Sequence, residues 1–166
     1  MRNNNIGIYP GAFDPITFGH LDIIKRSLKI VKKIIVAIGE NISKKTLFSI
    51  SERRELIEND IKSTFKDCTN IQVNTFKGLL TDFAHKNESM CIIRGLRVVS
   101  DFEYEFQMTS MNYQLNPNIE TIFLMSSDKN SLISSKFVKE VHKLGGDVSN
   151  FVSQNTIINL DKKNNV

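Results

Sequence analysis

The chain has 166 residues, which is enough for one globular domain with a hydrophobic core, residues 1–166, and too few for two. No apolar run is long enough to span a membrane, the N-terminus lacks a signal-peptide pattern, and Cys68 and Cys91 are not spaced as CxxC, so we expect a cytoplasmic protein with reduced thiols. The formal net charge of +4 suits an anionic partner, and the scattered basic residues favour a small phosphorylated ligand over nucleic acid or a membrane.

Strand-like and helix-like segments alternate along the chain. The helix after the first strand is predicted from Leu21, Ile24, Leu28 and Val31, which fall on one helical face. The second strand, KIIVAIG, is a continuous apolar run typical of a parallel strand buried on both faces. In chain order, the predicted strands are residues 6–10, 33–39, 71–76, 91–96 and 120–126, and the predicted helices cover 20–33, a segment from about 51, 79–87, 101–116, 134–146 and about 150–163.

Two helix starts carry the pattern of a capping box, in which a serine and a glutamate three residues later satisfy each other's backbone N–H groups. Ser49 with Glu52 predicts the start of the second helix. Ser100 with Glu103 predicts the start of the fourth.

Five strands that alternate with helices predict an α/β fold, a doubly wound five-stranded parallel sheet with helices on both faces. Ligands of such sheets bind beyond the carboxyl ends of the strands. Groups able to bind phosphate follow four of the strands: His20 after the first, Lys44 and Lys45 after the second, Arg94 and Arg97 after the fourth, and Ser134 and Ser135 after the fifth. The sequence therefore predicts an anion-binding site at this edge.

The segment YPGAFDPITFGH, residues 9–20, joins the first strand to the first helix. Its prolines and glycines end the strand and direct the backbone into the helix. Gly19 lets the backbone approach a ligand closely, and the helix N-terminus adds free N–H groups beside His20. Because neither GxGxxG nor GxxxxGK[ST] is present, we predict neither a dinucleotide-binding Rossmann domain nor a P-loop.

Two of these segments resemble the signature motifs of nucleotidyltransferases. TFGH, at residues 17–20, matches [TH]xGH, and ISSKFVKE, at residues 133–140, matches ISSxxVKE. Between them, IIRGLRVVSDFEYEFQMTSMN resembles specifically the phosphopantetheine adenylyltransferase family, as do SKKTLFSISER and FLMSS. The resemblance runs from about Ile6 to Val152 and implies a Rossmann-like nucleotidyltransferase fold.

The resemblance also implies a reaction, in which the adenylyl group of ATP is transferred to 4′-phosphopantetheine to give dephospho-coenzyme A and pyrophosphate. A phosphate oxygen attacks the α-phosphorus, and since that phosphate is already deprotonated at neutral pH, no general base is required. The chain accordingly shows no paired-carboxylate or Ser-His-Asp pattern. Mg²⁺ held mainly through the substrate phosphates and a homohexameric assembly are further implications.

Residue roles follow where this chain matches the family's motifs. The resemblance implies that His20 is the catalytic residue, which contacts the ATP phosphates and stabilises the transition state. The residues implied in phosphopantetheine binding are Ala12, Lys44, Leu80 and Arg94. Those implied in ATP binding are Ala12, Phe13, His20, Gly95, Leu96, Arg97, Glu105 (toward the adenosine), Asn130, Ser131, Leu132, Ile133, Ser134, Ser135 and Lys136. No protein ligand of Mg²⁺ is assigned.

Ala12 departs from the family pattern, which usually has Ser or Thr at this position. The missing hydroxyl would bond a substrate phosphate, and a hydrogen bond to a charged group contributes about 1.5–3 kcal/mol. Because alanine keeps the backbone N–H and loses only the side-chain donor, we expect weaker substrate binding with the fold and the reaction intact.

Several alternatives stay open. For single residues, Arg97 could simply pair with Asp101, Ser134 could be only an N-cap, and Asp14 could only shape its turn. For the whole chain, the alternatives are another nucleotidyltransferase that acts on nicotinamide mononucleotide or makes a CDP-linked product, a nucleotide-binding protein that has lost catalysis, and a nucleic-acid binder.

Overall fold

The computed structural model describes residues 5–40, 45–89, 91–127 and 133–164. Five parallel strands form one sheet in the order β3-β2-β1-β4-β5, which confirms the predicted doubly wound α/β fold. No helix among these residues is both long and apolar enough to cross a membrane. The elements are β1 (Ile6–Gly11), α1 (Phe18–Ser27), β2 (Lys33–Gly39), α2 (Ile50–Thr64), β3 (Ile71–Phe76), α3 (Leu80–Lys86), β4 (Cys91–Leu96), α4 (Val99–Leu115), β5 (Glu120–Met125), α5 (Ser135–Lys143) and α6 (Gln154–Asn164).

The first helix is shorter than its hydrophobic pattern predicts. It ends at Ser27 with Leu28 as C-cap, and a turn follows in which the Val31 N–H donates to the Ser27 carbonyl at 2.9 Å. Val31 is nonetheless buried in the core. The periodicity therefore identified three buried residues, Leu21, Ile24 and Val31, whereas Leu28 is only partly buried against the core. Val31 belongs to the turn that leads into β2.

One of the two predicted capping boxes is confirmed. Ser49 accepts a hydrogen bond from the Glu52 backbone, and the Glu52 carboxylate accepts one from Ser49 N–H at 2.8 Å. The prediction for Ser100 and Glu103 is wrong, because α4 already starts at Val99 and its N-cap, Val98, makes no side-chain capping bond. Asp101 is the third residue of α4 and lies in its first turn.

The two faces of the sheet are covered unequally. Along β2, alternate residues Ile34, Val36 and Ile38 pack into a large core, to which α1, α2, α5 and α6 contribute. The intervening Ile35 and Ala37 face a smaller core with α3 residues. Because α3 and α4 alone among the described helices cover that second face, much of the apolar surface of α4 is left exposed.

Both cysteines are free thiols. Burial, together with the nearby Glu120 carboxylate, raises the pKa of Cys91 to about 11. The Cys91 thiol therefore stays protonated at neutral pH and is a poor nucleophile.

Candidate active site

A cavity of about 820 Å³ opens where β1 and β4 lie side by side. The chain continues from β1 to β2 on one side, whereas β4 lies on the other, so this is the point at which the strand order reverses. Ligands of doubly wound sheets bind in the crevice at this point. The wall is formed by the β1–α1 segment, the end of β4, the first turns of α4 and the start of α5.

The structure brings most of the predicted site residues into this wall. Leu96, buried in β4, and Leu80, at the start of α3, lie outside it. Lys44, Asn130, Ser131 and Leu132 lie outside the described residues. The predicted residues that line the cavity are Ala12, Phe13, His20, Arg94, Gly95, Arg97, Glu105, Ile133, Ser134, Ser135 and Lys136.

His20 is held in the first turn of α1 with one ring nitrogen facing the protein. Its Nδ1 accepts a hydrogen bond from the Thr17 backbone N–H at 3.0 Å, and the Thr17 hydroxyl lies 3.0 Å from the same nitrogen. A neutral imidazole that accepts at Nδ1 carries its proton on Nε2. The Nε2–H group is thus available as a hydrogen-bond donor in the cavity wall.

The surroundings of His20 keep the ring neutral. Desolvation by burial and, secondarily, the positive charge of Arg97 lower the pKa of His20 from 6.5 to about 4. The rings of Phe13 and Tyr9 lie 5.1 and 6.4 Å from the imidazole, measured between ring centroids. His20 can therefore donate one hydrogen bond to an anion at neutral pH without contributing a full charge.

Phe13 lies in the cavity wall with its ring packed between Tyr9 and His20. Its backbone is in the left-handed region, with φ of 49°, and its ring turns back under β1 against Tyr9. A Cβ atom on Gly11 would lie 2.9 Å from that ring, so this close approach requires glycine. Since Phe13 as a whole is 2% exposed, its ring is not open to a polar ligand.

Arg94 and Glu105, which were assigned to different substrates, form an ion pair with each other. The Arg94 Nε donates to Glu105 Oε2 at 2.7 Å, and a second guanidinium nitrogen donates to Oε1. The third nitrogen donates to the Pro10 carbonyl at 2.8 Å. The guanidinium is thus fixed across β1 and α4, because a bidentate pair sets its plane as well as its position.

Arg97 makes a similar pair with Asp101, which lies one helical turn before Glu105 on α4. Its Nε and one terminal nitrogen donate to the two oxygens of Asp101 at 3.1 and 3.2 Å, which confirms the pairing considered from the sequence. The pair lines the cavity, and the remaining nitrogen reaches the Ile133 carbonyl at 3.4 Å. Pairing and ligand binding are therefore compatible for this arginine.

The start of α5 faces the cavity opposite His20. Ser134 is the N-cap of α5 and accepts a hydrogen bond from the Phe137 N–H at 3.1 Å, as the structural alternative predicted. Ser135 donates to the Pro15 carbonyl at 2.7 Å and so ties α5 to the β1–α1 segment. A helix N-terminus carries a partial positive charge, which is suited to phosphate.

Several residues of the site were missed by sequence reasoning. Thr17 fixes the tautomer of His20, and its spacing of three residues before His20 in a helix start is a signal that could have identified it. Lys139 and Asp101 reach the cavity only through the packing of α5 and α4. Among the described lining residues, five lysines and arginines face three acidic side chains, a net formal charge of +2 with His20 neutral.

The chain is similar to known proteins along most of its length. A family model described as cytidylyltransferase-like matches residues 8–141. The chain is 54% identical over 166 residues to the phosphopantetheine adenylyltransferase of Wolbachia pipientis subsp. Culex pipiens (strain wPip), which covers 98% of this chain and 97% of that protein. It is 52% identical over 147 residues to the phosphopantetheine adenylyltransferase of Caldanaerobacter subterraneus subsp. tengcongensis, with 89% of each chain covered.

Solved structures with the same fold are more distant in sequence. Plasmodium falciparum nicotinic acid mononucleotide adenylyltransferase, complexed with NaAD, superposes with a TM-score of 0.72 at 17% identity, over 97% of this chain and 96% of that chain. A bifunctional NMN adenylyltransferase/ADP ribose pyrophosphatase from Francisella tularensis, complexed with AMP and a manganese ion, gives 0.73 at 19% identity, over 98% of this chain and 50% of that one. These likenesses confirm the fold class.

The protonation state of His20 can be measured by ¹⁵N and ¹H NMR, with a His20→Gln variant to identify its resonances. We expect the ring to be protonated on Nε2 and to titrate with a pKa of about 4, because it is desolvated and Nδ1 accepts from Thr17. A ring that carries its proton on Nδ1, or that titrates near 6.5, would contradict this assignment.

Proposed function

We propose that the cavity between β1 and β4 is an active site. The chain belongs to the phosphopantetheine adenylyltransferase family. It transfers the adenylyl group of ATP to 4′-phosphopantetheine, giving dephospho-coenzyme A and pyrophosphate, and the cavity is where we place this reaction. One observation carries the proposal. A neutral imidazole donor, two anchored arginines and the start of α5 converge on one cavity at the switch point of the sheet.

The reaction needs little covalent chemistry from the protein. An oxygen of the phosphopantetheine phosphate forms a bond to the α-phosphorus of ATP while the bond from that phosphorus to the pyrophosphate oxygen breaks. The attacking oxygen is already ionised, so no proton has to be removed from it. Catalysis then depends on alignment and on stabilising the charge of the transition state, as in other phosphoryl transfers.

His20 is the residue we assign to the transition state. Its Nε2–H donates to an oxygen of the α-phosphate, on which negative charge builds up as the new bond forms. The donor costs no reorganisation, because the Thr17 N–H already fixes the ring through Nδ1. A preorganised donor of this kind is worth roughly two to three orders of magnitude in rate.

We assign the two substrates to opposite sides of His20. We assign the phosphate of phosphopantetheine to Arg94 and to the segment before α2, where Lys45 lines the cavity and Lys44 precedes it, with Leu80 toward the pantetheine arm. ATP is assigned to the backbone of residues 95–97, with Glu105 toward the adenosine. The ATP phosphates are assigned to residues 130–136 and to the backbone of residues 12–13. The pairing of Arg94 with Glu105 then positions groups for both substrates at once.

Mg²⁺ is expected to accompany ATP and to be held mainly through the substrate phosphates. The donor set fits this role, because the acidic side chains among the described lining residues, Asp14, Asp101 and Glu105, each already pair with a lysine or arginine. When bound, the ion would neutralise part of the polyphosphate charge. We also assign the protein to the cytoplasm, as a single domain.

The activity is tested by pyrophosphate release from ATP, 4′-phosphopantetheine and Mg²⁺. We expect release that requires both substrates, and a fall in kcat of roughly 100-fold or more in His20→Ala, because the transition-state donor is lost. His85→Ala is the matched control, since His85 lies exposed on α3. Pyrophosphate release with nicotinamide mononucleotide in place of phosphopantetheine would contradict the proposal. So would the absence of pyrophosphate release from folded native protein.

Ala12 provides a test by gain of function. Ala12 is exposed in the cavity wall, and its carbonyl is held by Arg53 at 2.6 Å. A hydroxyl added at this position gains a donor toward the substrate phosphates, so Ala12→Ser is expected to raise kcat/KM by about tenfold. An unchanged or lower kcat/KM in steady-state kinetics would count against a phosphate at this position.

We propose that the protein assembles as a homohexamer through α4. Although α4 is 17 residues long and packed on the sheet, it exposes apolar side chains on two sides of the helix, which together we call the α4 apolar surface. Such a surface on a monomer typically marks a protein interface. Its members are Val99, Phe102, Tyr104, Phe106, Met108, Met111, Tyr113 and Leu115.

Sedimentation velocity tests the assembly. We expect the native protein to sediment at six times its chain mass of 18.9 kDa, and Met111→Glu to sediment as smaller species because it places a charge in an apolar contact. Leu144→Glu, which changes an exposed leucine next to α5, is the control and should leave the mass unchanged. A monomeric native protein would contradict the proposal.

A further inference from the structure

One buried carboxylate in the cavity wall takes no part in the reaction described above. Asp14 lies in the β1–α1 segment and is 5% exposed. Its Oδ1 accepts a hydrogen bond from the Phe48 backbone N–H at 2.9 Å, and its Oδ2 accepts one from the Leu47 N–H at 2.9 Å. Oδ2 also forms an ion pair with Lys139. Three donors from two other parts of the chain therefore meet on one carboxylate.

The first two donors belong to the segment that precedes α2. Two residues immediately before them, Lys45 and Thr46, line the cavity, and Phe48 is buried in the core. Ser49 then caps α2. Because this segment has no regular secondary structure at residues 45–49, its two hydrogen bonds to Asp14 fix its position at the cavity.

The third donor belongs to α5, on the other side of the cavity. Lys139 follows Ser135 by four residues, so both side chains point to the same face of the helix. Ser135 donates to the carbonyl of Pro15, the residue next to Asp14. The start of α5 is thus attached to the β1–α1 segment at two adjacent positions.

We propose that Asp14 is a positioning residue for both substrates, because its single carboxylate sets the distance between the segment before α2 and the start of α5. The inference rests on the proposed function, in which the first segment binds phosphopantetheine and the second binds the ATP phosphates. Asp14 does not contact the reacting atoms, since protein donors already occupy both of its oxygens.

Substitutions at the two ends of the ion pair separate the two attachments. In Asp14→Asn the side-chain amide has one carbonyl oxygen, which can accept a hydrogen bond from one of the two backbone N–H groups. Its NH₂ group is a donor, so it cannot accept from the other N–H or from the Lys139 ammonium. Lys139→Met removes only the ion pair between Asp14 and α5; the two backbone hydrogen bonds to Asp14 and the bond from Ser135 to Pro15 remain. Lys139→Arg keeps a positive charge and can restore the ion pair.

Binding of each substrate is measured by isothermal titration calorimetry with ATP and 4′-phosphopantetheine separately, and turnover is measured in parallel. We expect Asp14→Asn to raise the Kd of each substrate by about tenfold, which corresponds to the loss of one hydrogen bond to a charged group. Lys139→Met should weaken the binding of ATP and leave that of 4′-phosphopantetheine unchanged, and Lys139→Arg should restore the affinity for ATP. The matched control is Asp67→Asn, since Asp67 also accepts a backbone N–H, at 2.9 Å, but lies exposed before β3.

Unchanged Kd values in folded Asp14→Asn would overturn the positioning role, as would a loss of kcat with both affinities intact, which would indicate a direct part in the chemistry. If Asp14→Asn does not fold, the two Lys139 variants test the inference instead. Equal affinity for ATP in Lys139→Met and Lys139→Arg would overturn it. Native protein that binds both substrates without turnover contradicts the proposed function, while the Kd values still test Asp14.

Discussion

The hydrogen bond from the Thr17 backbone N–H to His20 Nδ1 determines what the site can do. It closes the first turn of α1, so it is part of the fold, and it leaves the proton of the imidazole on Nε2, so it is part of the chemistry. The aromatic rings of Tyr9 and Phe13 favour the neutral ring by excluding water from it. A neutral donor fits a reaction whose nucleophile is already ionised, because no group has to take up or release a proton.

Carboxylates hold the two arginines of the site in place. Glu105 and Asp101 stand one turn apart on α4 and pair with Arg94 and Arg97. Ion pairing in a partly buried site offsets the cost of removing each guanidinium from water and fixes its plane. The net positive charge of the cavity is therefore modest, and its affinity for phosphate depends on geometry more than on the total charge.

Helix α4 connects the site to the outside of the molecule. Its first turns supply the two carboxylates that orient the arginines, whereas the same helix exposes the α4 apolar surface. Because α3 and α4 alone among the described helices cover this face of the sheet, a partner on α4 would press on the helix that aligns the arginines. In the proposed hexamer, the same helix would therefore serve both assembly and the alignment of the arginines.

Much of this protein is determined by its sequence alone. The β-branched run of β2, the alternating strands and helices and the Ser49–Glu52 pair are local patterns, and local patterns fix the elements and hence the parallel sheet with its ligand edge. The motifs around His20 and Ser134 predicted a site at that edge, because each belongs to a segment that joins a strand to the next helix. Only the tertiary structure decided the contacts between different elements, such as Asp14 with Lys139 and Arg94 with Glu105. Those pairs depend on how helices pack across the sheet, and no periodicity within a single segment encodes that packing.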